Sequence, residues 1–160
     1  MQINLLCVSK PIRGWAQQAC SEYEKRLQGL INFHVKEIQP VALAKSRSKS
    51  GTTQNKAKEA QALLAATPKQ STQIALDEVG KQLTTREFAD QLQQLRLAGR
   101  DVTFYIGGAD GLDDSVQTRC AQRISLSKMT LPHQIARLVF TEQIYRALSL
   151  LNNHPYHRDG

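Results

Sequence analysis

Residues 106–145 read IGGADGLDDSVQTRCAQRISLSKMTLPHQIARLVFTEQIY, and the architecture of the chain follows from them. Two adjacent glycines come directly after an apolar strand, VTFYI at 102–106. Glycines after a strand let the backbone turn sharply and approach a ligand closely. The spacing of GGADG matches neither a dinucleotide fingerprint nor a P-loop, so the glycines alone favour a simple tight turn.

Strands and helices alternate along the rest of the chain, which predicts one α/β domain over residues 1–160 with a largely parallel sheet. The predicted strands are 3–8, NFHVKEIQ, TQIALDEV with a turn at Gly80, 102–106 and ISLS. The predicted helices are 12–27, about 54–66, one between Thr84 and Gly99, a short one capped by an Asp, and 134–151. Thr84 and Glu87 have the spacing of a capping box.

The net charge of +7 indicates an anionic partner, although a basic surface can also serve solubility alone. Basic residues are concentrated between positions 44 and 58, where no acid occurs: Lys45, Arg47, Lys49, Lys56 and Lys58. This segment reads as a mobile, solvated loop leading into a helix, and an RNA-facing role for it alone is the less favoured alternative. Nucleic acid is the favoured partner of the chain as a whole.

Several classes of protein are not expected. No apolar run has the length of a membrane span, and the N-terminus lacks the pattern of an export signal. Cys7, Cys20 and Cys120 are an odd number without CxxC spacing, which suits reduced thiols in a cytoplasmic protein and argues against disulfides and a zinc site. Cys7 falls in an apolar strand, so we expect it to be buried.

Three strand ends are expected at the same edge of a parallel sheet: Leu76, Gly107 and the LSKMTL segment at 126–131. Ligands of open α/β sheets bind beyond the carboxyl ends of the strands. A pocket lined by backbone groups and small or apolar side chains suits a flat, uncharged ring such as adenine.

The final helix is apolar on two sides. One stripe consists of Phe140, Ile144, Leu148 and Leu151, and a nearly opposite stripe consists of Ile135, Leu138, Val139 and Tyr145. One side can face the sheet and the other a second subunit, which predicts a homodimer. Glu142 and Arg146 in the second stripe are either an ordinary i,i+4 pair or a paired charge at the dimer seam.

The C-terminus reads NHPYHRDG, which is unusual because free chain ends are normally poor in aromatic residues and histidine. Tyrosine and histidine can stack on splayed bases, and arginine can bind phosphate with both arms of its fork. The candidate residues are His133, Arg137, His154, Tyr156, His157 and Arg158. No metal site is expected, since the histidines lack carboxylate or thiol partners at suitable spacing.

The chain closely resembles the bacterial large-subunit ribosomal RNA methyltransferase H family. The resemblance rests on EYEKRL, ALDEVGK, IGGADGL, LSKMTLPHQIAR, EQIYRAL and NHPYHR and runs nearly end to end. It implies the SPOUT fold, an α/β fold with a mostly parallel sheet, helices on both faces and a C-terminal trefoil knot, and it implies a homodimer. It also implies S-adenosylmethionine as cofactor, with contacts at Leu76, Gly107, Gly108, Leu126, Ser127, Lys128, Met129, Thr130 and Leu131. The chain departs from the family at Cys7–Ser9, outside these positions.

The implied reaction is methylation of N3 of a pseudouridine in large-subunit (23S) ribosomal RNA, on the assembled ribosome. His133, Tyr156 and His157 are candidates for positioning the base or accepting the N3 proton, and water is the alternative acceptor. Arg137, His154, Tyr156 and Arg158 are the expected RNA contacts, and the tail could complete the partner's site. The rival hypotheses are a non-catalytic RNA-binding protein with the same fold and a methyltransferase for another RNA, such as transfer RNA.

Overall fold

The computed structural model describes residues 1–41, 49–154 and 156, so the predictions for Lys45, Arg47, His157 and Arg158 lie outside the described residues. The strands are β1 (Gln2–Val8), β2 (Asn32–Ile38), β3 (Thr72–Gln82), β4 (Val102–Ile106) and β5 (Gln122–Ser125). The helices are α1 (Gly14–Leu27), α2 (Lys49–Ala66), α3 (Thr85–Leu97), α4 (Asp114–Gln117) and α5 (His133–Leu151). None of the described helices is both long and apolar enough to span a membrane.

The five strands form one sheet in the order β2-β1-β4-β3-β5, and every neighbouring pair is parallel. This confirms the predicted α/β architecture with a parallel sheet. β3 lies between β4 and β5: the end of β4 lies beside Leu76 within β3, and the end of β5 lies beside the end of β3.

Each face of the sheet carries its own hydrophobic core. Phe104 of β4 packs with Phe88 of α3 and Phe140 of α5, with ring centroids 4.6–6.1 Å apart. The next residue, Tyr105, points to the opposite core with Leu63 of α2. Both faces of β4 are therefore buried, which is why its sequence is continuously apolar instead of alternating.

Several local predictions are confirmed by the structure. The Thr84 hydroxyl accepts from the Glu87 amide while the Glu87 carboxylate accepts from the Thr84 amide, so the capping box is complete. Gly99 follows the last turn of α3 with a φ of +63°, a conformation that costs glycine little. The Asp113 carboxylate accepts from the Ser115 amide at the start of α4.

Several boundaries differ from the sequence predictions, among them those of α2, β3 and β5. α2 begins at Lys49 and not near residue 54, because packing at Ala60 and Leu63 supports a helix whose Ser, Gly and Thr residues are typical of a loop. The predicted turn at Gly80 is wrong, since β3 continues to Gln82. A Cβ at Gly80 would lie 2.6 Å from the Ile124 carbonyl carbon, so this glycine permits close contact of β3 with β5. β5 begins two residues before the predicted ISLS segment.

Candidate active site

A cavity of about 530 Å³ opens at one edge of the sheet, between Leu76 within β3, the ends of β4 and β5 and the start of α5. It is lined by eight of the nine residues at which cofactor contacts were expected: Leu76, Gly107, Gly108, Leu126, Ser127, Met129, Thr130 and Leu131. Lys128 is the one expected contact that does not line it. Gly107 and the 126–131 segment follow strand ends as predicted, whereas Leu76 lies within β3, which continues to Gln82. All three still meet at one pocket, because Leu76 pairs with Ile106 at the end of β4.

The glycine loop forms one wall of this pocket with its backbone. The Gly111 amide donates to the Gly108 carbonyl at 2.9 Å, and Gly111 has a φ of +78°. A Cβ at Gly107 would lie 2.6 Å from the carbonyl carbon of Gly111, and one at Gly108 would lie 2.9 Å from Glu59 Oε2. The loop can close this tightly only because Gly107 has no side chain, since the atoms that a Cβ there would meet belong to the backbone.

The opposite wall is the loop at 126–131, which is held by hydrogen bonds at both ends. The Ser127 hydroxyl accepts from the Met129 amide at 2.9 Å, and the Ser127 carbonyl accepts from the Ser125 hydroxyl at 2.8 Å. The Thr130 hydroxyl donates to Glu78 Oε2 at 2.9 Å and so ties this loop to β3. Met129 is 78% exposed at the mouth of the pocket, where an incoming ligand would cover it.

His133 is the first residue of α5 and lines the pocket together with Ala136. Pro132 precedes it at the N-cap position, and the Pro132 carbonyl accepts from the Ala136 amide at 2.9 Å. The imidazole therefore sits on a fixed helical turn at the edge of the cavity. Of the four described candidates in the C-terminal region (His133, Arg137, His154 and Tyr156), His133 is the one that the structure places in the pocket.

The pocket also contains charged residues that the sequence analysis missed: Lys56, Asp77, Glu78 and Asp110. The acidic residues could have been found, because Asp77 and Glu78 directly follow Leu76 and Asp110 lies within the glycine loop. Lys56 carries no such signal, since it lies on α2 and reaches the pocket only through the tertiary fold.

Tyr156 lies outside the pocket of its own chain. Its hydroxyl is 3.2 Å from that of Tyr23 and 3.4 Å from Glu142 Oε1, and its ring meets that of Tyr145 with centroids 4.7 Å apart. Burial, together with the hydrogen bond to Tyr23, raises the pKa of Tyr156 well above its ordinary value. His154 is exposed, and its Nδ1 accepts from the Tyr156 amide at 3.3 Å.

Arg137 is buried within the chain, and its expected contact with RNA stays a prediction. The residue is 8% exposed and its guanidinium donates to Glu37 and to Glu24, the latter at 3.2 Å. Burial alone would lower the pKa of Arg137, but the hydrogen bonds to both carboxylates outweigh burial and raise it. These hydrogen bonds fix α5 to β2 and α1.

The expectation that Cys7 is buried is confirmed. Burial raises the pKa of its thiol to about 12, so the group stays neutral beside the charged side chains. Among the described residues, no group of three or more His, Cys, Asp and Glu side chains is placed to hold a metal ion.

The two sides of α5 have different surroundings within one chain. Phe140, Ile144 and Leu148 of the first stripe are buried in the core. Ile135, Leu138 and Val139 of the second stripe are only partly buried and belong to neither core cluster. Arg146 Nε donates to Glu142 Oε1 at 2.8 Å, and its guanidinium lies over the Tyr156 ring at 4.9 Å.

Two relatives of known name match nearly the whole length of this chain. A relative from Hydrogenovibrio crunogenus is 43% identical over 160 residues, covering 99% of this chain and all of the relative. One from Herminiimonas arsenicoxydans is 43% identical over 158 residues, covering 99% of each. Both are named ribosomal RNA large subunit methyltransferase H.

Among solved structures, a probable methylase family protein from Haemophilus influenzae Rd KW20 aligns with a TM-score of 0.55. The alignment covers 96% of this chain and 69% of that one at 11% identity, so it supports the fold alone. The family model described as "Predicted SPOUT methyltransferase" matches residues 1–157. Together with the relatives, that match shows that this chain belongs to the SPOUT methyltransferase family.

Proposed function

We propose that this protein transfers a methyl group from S-adenosylmethionine to N3 of a pseudouridine in 23S ribosomal RNA of the large subunit. The observation that carries the proposal is the cavity beside Leu76 of β3 and the ends of β4 and β5, lined by eight of the nine positions expected to contact the cofactor. The two relatives that span nearly the whole chain are named for methylation of large-subunit ribosomal RNA, which supports the same substrate.

The residues of the cavity fit the adenosine part of the cofactor. Leu76, Ile106, Leu126 and Leu131 offer apolar surface to a flat ring, and the glycine loop offers backbone groups with no side chain in the way. A site of this kind recognises an aromatic ring by its shape and by hydrogen bonds from the backbone. When bound, the sulfonium of S-adenosylmethionine supplies an electrophilic methyl group.

The main contribution of the protein is then to hold the target base in line with that methyl group, since orientation can supply several orders of magnitude in rate. His133 is the favoured candidate for positioning the base or accepting its N3 proton, because its imidazole lies at the cavity on a fixed helical turn. Water remains the alternative acceptor.

Tyr156 and His157 remain candidates as residues that act across a dimer. Within one chain, Tyr156 contacts Glu142 and Tyr145, which follow His133 by 9 and 12 residues on α5. At a rise of 1.5 Å per residue this separation is about 14–18 Å along the helix. At that distance from His133, Tyr156 would contribute to catalysis most directly by reaching the pocket of the partner subunit.

A homodimer is supported by the second stripe of α5. Ile135, Leu138 and Val139 are apolar, partly exposed and not packed in either core cluster. Burying such a stripe against its own copy removes apolar surface from water. The net charge of +7 favours a large polyanion such as the assembled ribosome as substrate, recognised by its shape.

The test is methyl transfer from labelled S-adenosylmethionine to ribosomes that lack this modification, followed by digestion and mass analysis of the RNA. We expect the methyl group on N3 of a pseudouridine in 23S RNA, and poor transfer to short oligonucleotides that carry the pseudouridine. Transfer to transfer RNA in preference to ribosomes would contradict the proposed substrate. RNA binding without binding of S-adenosylmethionine would favour a non-catalytic protein.

A further inference from the structure

One side of the pocket carries charged side chains, and neither the glycine loop nor the loop at 126–131 explains their role. Lys56 is the one lysine or arginine among the described residues that line the cavity. It lies on α2, which packs against β1, β2 and α4. Glu59, one turn later on the same helix, has its Oε2 2.9 Å from the position that a Cβ on Gly108 would occupy. The face of α2 that carries Lys56 therefore borders the glycine loop.

The carboxylates near Lys56 have other partners. Glu59 Oε1 accepts from the Val41 amide at 3.0 Å. The Asp113 carboxylate accepts from the amide and the hydroxyl of Ser115, at 2.9 and 2.6 Å. Within the described part of the chain, the four ion pairs do not include Lys56. Its ammonium is thus a cation at the cavity, and no carboxylate of residues 1–41, 49–154 or 156 forms an ion pair with it.

The chemistry of the cofactor indicates what this cation is for. At neutral pH the carboxylate of the methionine end is the only anionic group of S-adenosylmethionine, whose ammonium and sulfonium are both positive. The remaining charged residues of the lining, Asp77, Glu78 and Asp110, are acidic and would repel that carboxylate. A charge-assisted hydrogen bond to an ammonium is the interaction that such a carboxylate requires when it leaves water.

We propose that Lys56 binds the carboxylate of the methionine end of S-adenosylmethionine and so fixes that end of the cofactor at the α2 side of the pocket. This inference rests on the proposed function and adds a binding residue from outside the three strand ends. It also gives α2 a role in the site, because Glu59 holds Val41 and borders Gly108 while Lys56 faces the ligand.

The experiment is calorimetric titration of the full chain with three ligands: S-adenosylmethionine, S-adenosylhomocysteine and 5′-methylthioadenosine, which lacks the amino-acid end. The variants are Lys56→Met and Lys56→Arg, and the matched control is Lys58→Met on the exposed side of the same helix. In Lys56→Met we expect about 10-fold weaker binding of S-adenosylmethionine and S-adenosylhomocysteine, because each loses a charge-assisted hydrogen bond to its carboxylate. Binding of 5′-methylthioadenosine should be unchanged, since it has no carboxylate. Lys56→Arg keeps most of the affinity, and Lys58→Met keeps all of it.

Unchanged binding of S-adenosylmethionine by Lys56→Met would overturn the inference, and a rise in KM for ribosomes alone would assign Lys56 to an RNA phosphate instead. An equal loss for all three ligands would also overturn it, since the substitution would then have deformed the pocket. If the wild-type chain binds none of the three ligands, the proposed function fails together with the inference.

Discussion

Arg137 of α5 donates a hydrogen bond to the carboxylate of Glu37 near the end of β2, a residue 100 positions earlier in the chain. The first turns of α5, which carry His133 at the pocket, are thereby fixed to the edge of the sheet. In Arg137→Met the carboxylates of Glu37 and Glu24 lose the cation that binds both of them. We expect a loss of about 2–3 kcal/mol in the free energy of unfolding, less than for a fully buried pair because both glutamates keep some contact with water.

Urea unfolding at a fixed protein concentration measures this loss. Glu24→Gln is the milder comparison, because Glu24 is the more exposed of the two partners and its hydrogen bond is 3.2 Å long. Equal stability of Arg137→Met and wild type would show that the ion pairs contribute nothing net.

Gly107→Ala should abolish cofactor binding while leaving a folded protein. The added methyl group would lie 2.6 Å from the Gly111 carbonyl carbon and 2.7 Å from the Leu112 amide nitrogen, so the loop must move away from its position at the cavity. The control is Gly99→Ala, where nothing lies within 4 Å but φ is +63°. That control should lose about 1 kcal/mol of stability and keep its affinity for S-adenosylmethionine. Similar affinities for the two variants would contradict the role given to the loop.

The hydrogen bond from Thr130 to Glu78 should steady the wall of the pocket formed by residues 126–131. Glu78→Gln keeps an oxygen that can accept it, whereas Glu78→Leu does not. We expect a cofactor affinity near that of wild type for the amide and a reduction of about 5-fold for the leucine, in line with the net value of one hydrogen bond. Calorimetric titration distinguishes the two variants, and equal affinities would rule out a contribution of this bond.

The capping box of α3 predicts a pH-dependent contribution to stability. The hydrogen bonds from the backbone and side chain of Thr84 hold the pKa of Glu87 below its ordinary value. A carboxyl with a lowered pKa in the folded state stabilises fully above its unfolded pKa of about 4.3, and this stabilisation disappears as the pH falls through the lower folded value.

Thr84→Ala should therefore cost about 1 kcal/mol at neutral pH, the usual value of an N-cap. The difference from wild type should shrink below pH 4 or so, when the carboxyl of Glu87 is protonated in both proteins. Thermal unfolding measured between pH 7 and pH 3 provides the comparison. A difference that stays constant over this range would mean that Glu87 takes no part in the cap.

The homodimer is tested on the second stripe of α5. Leu138→Lys places a charge among Ile135, Val139 and their expected counterparts, which should shift the protein to a monomer in sedimentation experiments. Leu97→Lys is the matched control, since Leu97 is 78% exposed at the end of α3 and should leave the oligomeric state unchanged. If Leu138→Lys sediments like the wild type, the dimer interface does not include this stripe of α5.

A mixed dimer tests whether the tail acts across the seam. His133→Ala and Tyr156→Phe subunits, each inactive alone, should regain activity on mixing if the tail of one subunit serves the pocket of the other. One of the two pockets then combines an intact His133 with an intact Tyr156. No recovery on mixing would assign both residues to the same chain.

The sequence predicted those features that depend on neighbours in the chain or on strand order. The capping box at Thr84 needs only a spacing of three residues, and the convergence of Gly107 and Leu126 follows from parallel strands that end at one edge. Leu76 joins them from within β3, because it pairs with the last residue of β4. The departures all depend on contacts distant in sequence. Gly80 resembles a turn residue until β5 is placed against it.

The two charged residues on α2 and α5 show the same limit. Arg137 stands near a histidine-rich tail and so resembles an RNA contact, but its partners Glu24 and Glu37 lie more than 99 positions away. Lys56 lies in a segment whose composition is typical of a solvated loop, and only the packing of α2 brings it to the cavity. The knot implied by the family resemblance stays a prediction, since no local pattern in the sequence can encode a chain crossing.

The glycine loop forms its wall of the pocket with main-chain atoms, and this limits which substitutions could make the protein resistant to an inhibitor. A competitive inhibitor that bonds to the backbone at Gly107 and Gly108 contacts atoms that every amino acid shares. Gly107 has no room for a larger residue, because backbone atoms of Gly111 and Leu112 lie 2.6 and 2.7 Å from its Cβ position, so a substitution there would disrupt the site together with inhibitor binding. Resistance is instead expected from substitutions of lining side chains such as Met129, so a compound that contacts few of those side chains leaves the fewest positions at which resistance can arise.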